Sequence, residues 1–318
     1  MSATISEPWL SVIMPSYCGH HWIDSSLSSI AAERATGIEV VFVDGSPTSE
    51  SIEMAKRFTG QLDMHIFHRP DLASWHAKSN FGVEKARSSH VCWLGVDDIW
   101  LPGRAEAARG WIKGSRDATL HLSPSVIMDE NGRRLGVWQC PLPTERSLPA
   151  EFILERLLVQ NFIAAPAPVF RRDAWLRCGG LDDSLWYTAD WDLWLKLAAA
   201  GPVYYHDCTT IGFRIHKHSL TVTGSKDQAS FKSQMETVLE RHLPRLAARQ
   251  NLVGPVARAS LQVNCALAAA SSGDYTQIFK TVSELFRLGP RGLHKYFRDS
   301  RIFERTAPRI QARLAGHF

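Results

Sequence analysis

Four short apolar runs, each closed by polar residues and spaced by helix-length segments, constrain this chain more than anything else in it. "LSVIMPSY" (10–17), "IEVVFVDGS" (38–46), "LDMHIFHRP" (62–70) and "HVCWLGV" (90–96) read as strands. "WIDSSLSSIAAE" (22–33), "TSESIEMAKRF" (48–58) and "SWHAKSNFGVEKA" (74–86) between them read as helices. Apolar strands alternating with helices predict an α/β fold, a Rossmann-like, mostly parallel sheet flanked by helices. In such sheets ligands bind beyond the carboxyl ends of the strands. Ser16, Asp44, Asp71 and the pair Asp97–Asp98 all fall at those ends. Polar residues gathered on one rim predict a cleft.

The pattern loosens after residue 116. "ATLHLSPSVIMDENGRRLGVW" reads as a hairpin turning at Asn131-Gly132, and "PAEFILERLLVQNF" (149–162) as an amphipathic helix. "APAPVFRRDAWLRCGGLDDSL" suggests strand, short helix and loop. "TADWDLWLKLAAAG" (188–201) suggests a helix closed by Gly201, and "TTIGFRIH" a last strand. Beyond Ser225 a helical C-terminal extension is expected, broken at Pro244, Gly254-Pro255 and Gly289-Pro290.

With 45% hydrophobic and 21% charged residues, the 318-residue chain has a globular composition. Its net charge of +4 is too small to argue for nucleic acid, and no nucleic-acid partner is expected. No apolar run is long enough to span a bilayer, and the N-terminal stretch lacks the marks of a signal peptide. Six scattered cysteines without a C-x-x-C pair suit reduced thiols, so a cytoplasmic setting is expected. Residues 241–318 hold thirteen Lys/Arg against four Asp/Glu, a net +9 against −5 for the remainder. Such a tail is a solvated helical face or a peripheral attachment to the inner face of the membrane.

Neither G-x-G-x-x-G nor a Walker-type loop is present, which argues against ordinary dinucleotide and P-loop sites. Bound phosphates would then need a divalent cation, and Mg²⁺ or Mn²⁺ prefers carboxylate oxygens. Asp97–Asp98 serves either as a polar turn or as that metal site. Asp44 serves as turn chemistry or accepts hydrogen bonds from a base or ribose. Asp190 complements the dipole of its helix or acts as a general base. His216 is structural, a metal ligand or a phosphate contact.

The ordered pieces "LSVIMPSY", "EVVFVDGSPT", "HRPDLASWHAKSNFGVEKA", "WLGVDDIWLP", "ADWDLWLKLAAAG" and "FRIHKHSLT" resemble family 2 glycosyltransferases of the GT-A fold over residues 9–222. The resemblance implies that Pro15 and Ser16 open the nucleotide loop and that Asp44 contacts base or ribose. It places Asp71 and Asn80 on the nucleotide side. Asp97 matches the last acid of the D-x-D-type metal motif, with Asp98 beside it, and His216 matches a terminal R-x-H. Asp190 matches the catalytic base. Residues 1–115 would bind nucleotide sugar, 116–222 would bind acceptor, and 223–318 would form the basic extension. An inverting, Mn²⁺- or Mg²⁺-dependent transfer is implied, from a UDP-sugar in preference to GDP or dTDP donors. The acceptor would be a saccharide or a lipid-linked saccharide, in surface polysaccharide or glycolipid synthesis. Three departures stand out: Gly95 replaces the first D-x-D acid, Ala189 the acid before the base, and "SWHAKSN" a Tyr-Asp-Ala-x-Asn-like run. Two other readings stay open, a non-catalytic sugar-nucleotide-binding or scaffolding protein and a nucleotidyltransferase. The second would want a basic, Gly-rich first loop, and "PSYCGHHW" has no Lys or Arg.

Overall fold

The computed structural model describes residues 7–314 apart from 145, 218 and 221–226. Its first half follows the alternating pattern: β1 (Leu10–Ser16), α1 (Ile23–Ala31), β2 (Ile38–Asp44), α2 (Glu50–Lys56), β3 (Asp63–His68), α3 (Trp75–Lys85) and β4 (His90–Trp93). These strands lie parallel in the order β3-β2-β1-β4. All seven residues of β2 are buried, as a strand covered on both faces requires. The β1–β2 register pairs Leu10 with Ile38 and ends with Ser16 beside Asp44. The two polar strand ends are therefore neighbours by construction. Ser74 caps α3, its hydroxyl accepting from the Ala77 N–H at 3.1 Å.

The second half continues through β5 (Ile99–Trp100), α4 (Arg104–Gly114), β6 (Leu120–Leu122), β7 (Ser125–Met128), β8 (Arg134–Trp138), β9 (Ser147–Leu148), α5 (Ala150–Val159) and β10 (Val169–Arg171). Then come α6 (Arg172–Arg177), α7 (Ala189–Ala200), β11 (Val203–Tyr205) and β12 (Ile211–Arg214). Strands β10, β6, β11 and β9 extend the main sheet to eight, with β10 antiparallel to both β4 and β6. A smaller sheet runs β5-β12-β7-β8. Its β7–β8 hairpin turns where expected, with Gly132 at φ +81°.

Two apolar layers cover the main sheet. Leu10, Val12, Met14, Val40 and Phe42 face α1 and α2. Ile13, Val41 and Val43 face the opposite way, with α3, α5 and α7. Trp93 centres that second layer, its ring 5.0 Å from Trp175, 5.3 Å from Trp194 and 5.6 Å from Phe170.

The C-terminal region is helical: α8 (Gln228–His242), a 3-10 segment (Leu243–Arg249), α9 (Gln250–Ser271), α10 (Ile278–Arg287), α11 (Gly289–Ser300) and α12 (Ile302–Leu314). The break expected at Gly254-Pro255 does not occur, because α9 runs through it. Pro255 falls near the start of that helix and removes one backbone bond there. The chain bends instead at Ala247, whose φ is +43°. Val253, Val256 and Leu261 of α9 share the core with Leu154 and Leu157 of α5. Among the described residues no helix is long and apolar enough to cross a membrane.

Candidate active site

Strand β4 ends at Trp93, earlier than its apolar pattern suggests, because the chain turns at once. The Asp98 N–H donates to the Gly95 carbonyl at 3.0 Å. That turn brings two carboxylates over residue 95. A Cβ at Gly95 would lie 2.6 Å from Asp97 Oδ1 and 3.0 Å from Asp98 Oδ2. The room that a first D-x-D acid would need is already used by the two acids that follow.

Strand β12 supplies the other wall. The Arg214 backbone N–H donates to Asp98 Oδ1 at 2.9 Å, its Nε donates to the Asp97 carbonyl at 2.8 Å, and its Nη1 to the Glu130 carbonyl at 2.9 Å. Two residues on, His216 Nε2 stands 3.1 Å from Asp97 Oδ2. The Trp22 ring closes this group, 4.5 Å from the Arg214 guanidinium and 5.5 Å from the His216 ring. Burial, and then the charge of Asp97, push the Asp98 carboxyl well above its usual range; the Arg214 N–H and guanidinium only partly oppose them. Two repelling carboxylates beside an imidazole form an oxygen-rich donor set that fits Mg²⁺ or Mn²⁺. This set is more open than the Glu39, Asp63 and His65 cluster, whose ligand atoms lie within 4.8 Å of one another. That tighter cluster begins at the opposite ends of β2 and β3 and already holds Arg87, 2.7 Å from Glu39 and 2.6 Å from Asp63.

A methyl group at position 95 would drive Asp97 Oδ1 aside while leaving the fold intact. Gly95→Ala is therefore expected to weaken Mn²⁺ binding roughly 10-fold or more, the scale of misplacing a ligand. A Mn²⁺ titration followed by thermal shift checks this, and unchanged affinity would contradict a cation held by Asp97.

A second group forms at the ends of β1 and β2. Asp44 is fully buried, and its Oδ1 accepts from Ser46 Oγ at 2.8 Å. Ser46 Oγ in turn accepts from the Cys18 N–H at 2.7 Å, tying the loop after β1 to the loop after β2. Lys78 of α3 is 2% exposed, and its Nζ donates to the Leu72 and Ala73 carbonyls at 3.2 and 3.1 Å. Burial lowers the pKa of Lys78 while the charge of Asp44 raises it, with burial prevailing. The buried Ser16 Oγ has no hydrogen-bond partner among the described residues. Pro15 lies beyond Ile13, where pairing with β4 stops. The loop from Tyr17 to Trp22 joins this group to the carboxylate pair.

Asp71 and Asn80 both have partners within the protein. Arg69 takes both Asp71 oxygens, at 2.8 and 2.5 Å, in an exposed ion pair. The Asn80 amide donates to the Leu181 carbonyl at 2.9 Å and accepts from the Leu181 N–H at 3.0 Å. That clamp binds α3 to the segment leading into α7. Trp75 Nε1 repeats it by donating to the Trp186 carbonyl at 3.2 Å.

Asp190 sits in the first turn of α7, at the end of the clamped segment. Its Oδ1 accepts from the Trp191 N–H at 2.7 Å and its Oδ2 from Asn161 Nδ2 at 3.2 Å. Burial raises its carboxyl to a pKa of about 6, against the partial opposition of those two hydrogen bonds. A carboxylate so placed is basic enough to take a proton and is ionised at neutral pH.

Lys78, Asn161, Arg214 and Trp22 are the members that sequence reasoning passed over. Arg214 heads the R-x-H stretch and Lys78 lies within "SWHAKSN", so both had a signal. Asn161 and Trp22 had none, since only the fold brings them to their partners.

The architecture has known counterparts. Staphylococcus aureus TarS superposes with a TM-score of 0.63 at 14% identity, over 94% of this chain and 55% of that one. Its 1–349 portion has been solved with UDP and with UDP-GlcNAc. A Pyrobaculum calidifontis mannosyltransferase, solved with GDP-Man and Mn²⁺, gives a TM-score of 0.51 at 14% identity over 94% of this chain and 88% of its own. In sequence, an uncharacterized glycosyltransferase of Rickettsia prowazekii is 22% identical over 231 residues, 70% of this chain and 69% of that protein. The chain spans only 39% of a similar protein from Rickettsia felis, at 24% identity over 76% of its own length. The family model for glycosyl transferase family 2 matches residues 11–173, from β1 through the carboxylate turn to β10. On that match, which covers more than half of its length, the chain belongs to glycosyl transferase family 2.

Proposed function

We propose that this chain transfers a sugar, with inversion, from a nucleoside-diphosphate sugar to an acceptor hydroxyl. The observation that carries the reading is Asp190, a carboxylate held by Trp191 and Asn161 with its pKa raised to about 6. In this reading Asp190 takes the acceptor proton as the acceptor oxygen bonds to the anomeric carbon. The bond from that carbon to the phosphate oxygen breaks, and the nucleoside diphosphate leaves with the electron pair. Asp97, Asp98 and His216 would hold a divalent cation. When bound, the cation neutralises charge on the leaving diphosphate. Arg214 fixes the carboxylate turn, while Ser16, Asp44 and Lys78 form the floor for the nucleoside, next to the loop that Pro15 opens. Asp71 and Asn80 border that floor as supports, and Asn80 acts through Leu181.

UDP is the favoured donor nucleotide, which the TarS complexes support, and the mannosyltransferase keeps GDP-sugars in view. The acceptor would be a saccharide or a lipid-linked saccharide. All six cysteines are unpaired, which supports a reducing, cytoplasmic setting.

A nucleotide-release assay tests the reading, run with UDP-, GDP- and dTDP-sugars with and without Mn²⁺. One donor class is expected to turn over, with Mn²⁺ required and Asp97→Asn losing the response to it. Binding of a donor with no release by the wild-type protein would instead favour a sugar-nucleotide-binding role.

A further inference from the structure

Helix α10 has a wider apolar arc than its packing uses. Thr281, Leu285 and Leu288 turn inward, Thr281 being buried and the two leucines packing on the core shared with α9. Phe279, Val282 and Phe286 continue the arc round the helix and onto the surface, at spacings of three and four residues. They are 88%, 44% and 70% exposed. Nearby, the exposed rings of Phe297 and Phe303 stack at 5.8 Å across the α11–α12 junction. Two exposed phenylalanines on one short helix are costly for a surface that meets only water.

The charge around this arc points to its occupant. Residues 275–314 carry nine Lys/Arg against three Asp/Glu. Lys280 and Arg291 are exposed beside it, while Arg287, also exposed, is ion-paired with Glu284 at 2.7 Å. A second copy of the chain would set this positive region against itself, whereas an anionic surface complements it. An apolar stripe edged with exposed cations is the pattern of a helix lying in a lipid interface.

We propose that the outer face of α10 docks on an anionic lipid bilayer, with Phe279, Val282 and Phe286 entering the headgroup region and Lys280 and Arg291 meeting lipid phosphates. Docking there would bring the chain to the surface that carries a lipid-linked acceptor. Only that last step rests on the glycosyl-transfer reading.

Co-sedimentation with phosphatidylglycerol–phosphatidylcholine vesicles, against pure phosphatidylcholine, tests the docking without any activity readout. The full chain is expected to bind the anionic vesicles, more weakly as salt rises, and to leave neutral ones in solution. Phe279→Ser with Phe286→Ser is expected to lose at least ~10-fold in affinity, since two buried aromatic side chains are removed from the contact. Its unfolding midpoint should match wild type, because both side chains lie outside the core. Lys280→Glu with Arg291→Glu gives an independent arm with the same expected loss. Absence of binding by the wild type, equal binding to neutral vesicles, or wild-type binding by both variants would overturn the proposal. So would a dimer in light scattering that the phenylalanine substitutions abolish, since the stripe would then belong to a second copy.

Discussion

Asp190→Asn is expected to lower turnover by ~10²–10⁴-fold, the span assigned to a lost general base, while donor binding persists. Asparagine keeps one acceptor oxygen for Trp191 or Asn161, so the start of α7 should survive the change. The wild-type pH profile gives the second readout. In the proposed role the base works as a carboxylate, and burial holds the Asp190 pKa at about 6. The rate should therefore rise about 10-fold per pH unit below that value and level off above it, as a single titrating base requires. Asn161→Ala removes a hydrogen bond that lowers this pKa, so the rising limb should move to higher pH. An Asp190→Asn protein with wild-type turnover would falsify the assignment.

The largest stability effect is expected two residues further along the same helix. Asp192 is fully buried and accepts from His242 Nε2 at 2.7 Å, Arg241 Nη1 at 2.8 Å and Lys196 Nζ at 2.6 Å. Burial alone would raise its carboxyl, but the hydrogen bonds from His242, Lys196 and Arg241 outweigh it and hold the pKa far below the usual range. Removing one member of a buried charged cluster strands the others, at a cost of about 3–5 kcal/mol. Asp192→Ala should fall at about 3 kcal/mol, the low end of that span, because Lys196 and Arg241 reach water while His242 does not. Urea unfolding measures the loss directly. With the folded pKa depressed, this contribution is complete above the unfolded carboxylate value of about 4 and disappears as pH falls below it. The gap between wild type and variant should therefore close in acid. A gap that held constant to low pH would assign the effect to packing alone.

These two aspartates, separated by one residue, mark how far the sequence could be read. Period and polarity sufficed for the parallel sheet that holds β1 to β4, because apolar runs of five to seven residues have few places to go except a covered parallel sheet; the order of its strands came only from the fold. They sufficed also for α7 and for the hairpin at Gly132. They could not separate Asp190 from Asp192, since both sit in the first turn of one helix. The difference lies in His242 and Arg241 from α8, some fifty residues away. Asn80 shows the same limit: its partner, Leu181, is distant in sequence, and a side-chain amide serves backbone or ligand equally well. Trp93 ended β4 early because a turn closed by a single backbone bond outweighs a three-residue apolar continuation.

The occupied space above Gly95 bears on how chains of this kind are sorted into working enzymes and retired ones. A filter that asks for an acid at the first position of the pair would file this protein among the retired. The carboxylates two and three residues downstream already converge where that acid would reach, so on the proposed cation site the motif would be displaced along the chain. A sounder filter would ask which oxygens arrive above the turn and would disregard their place in the alignment column. By that measure a glycine here is the residue that makes room.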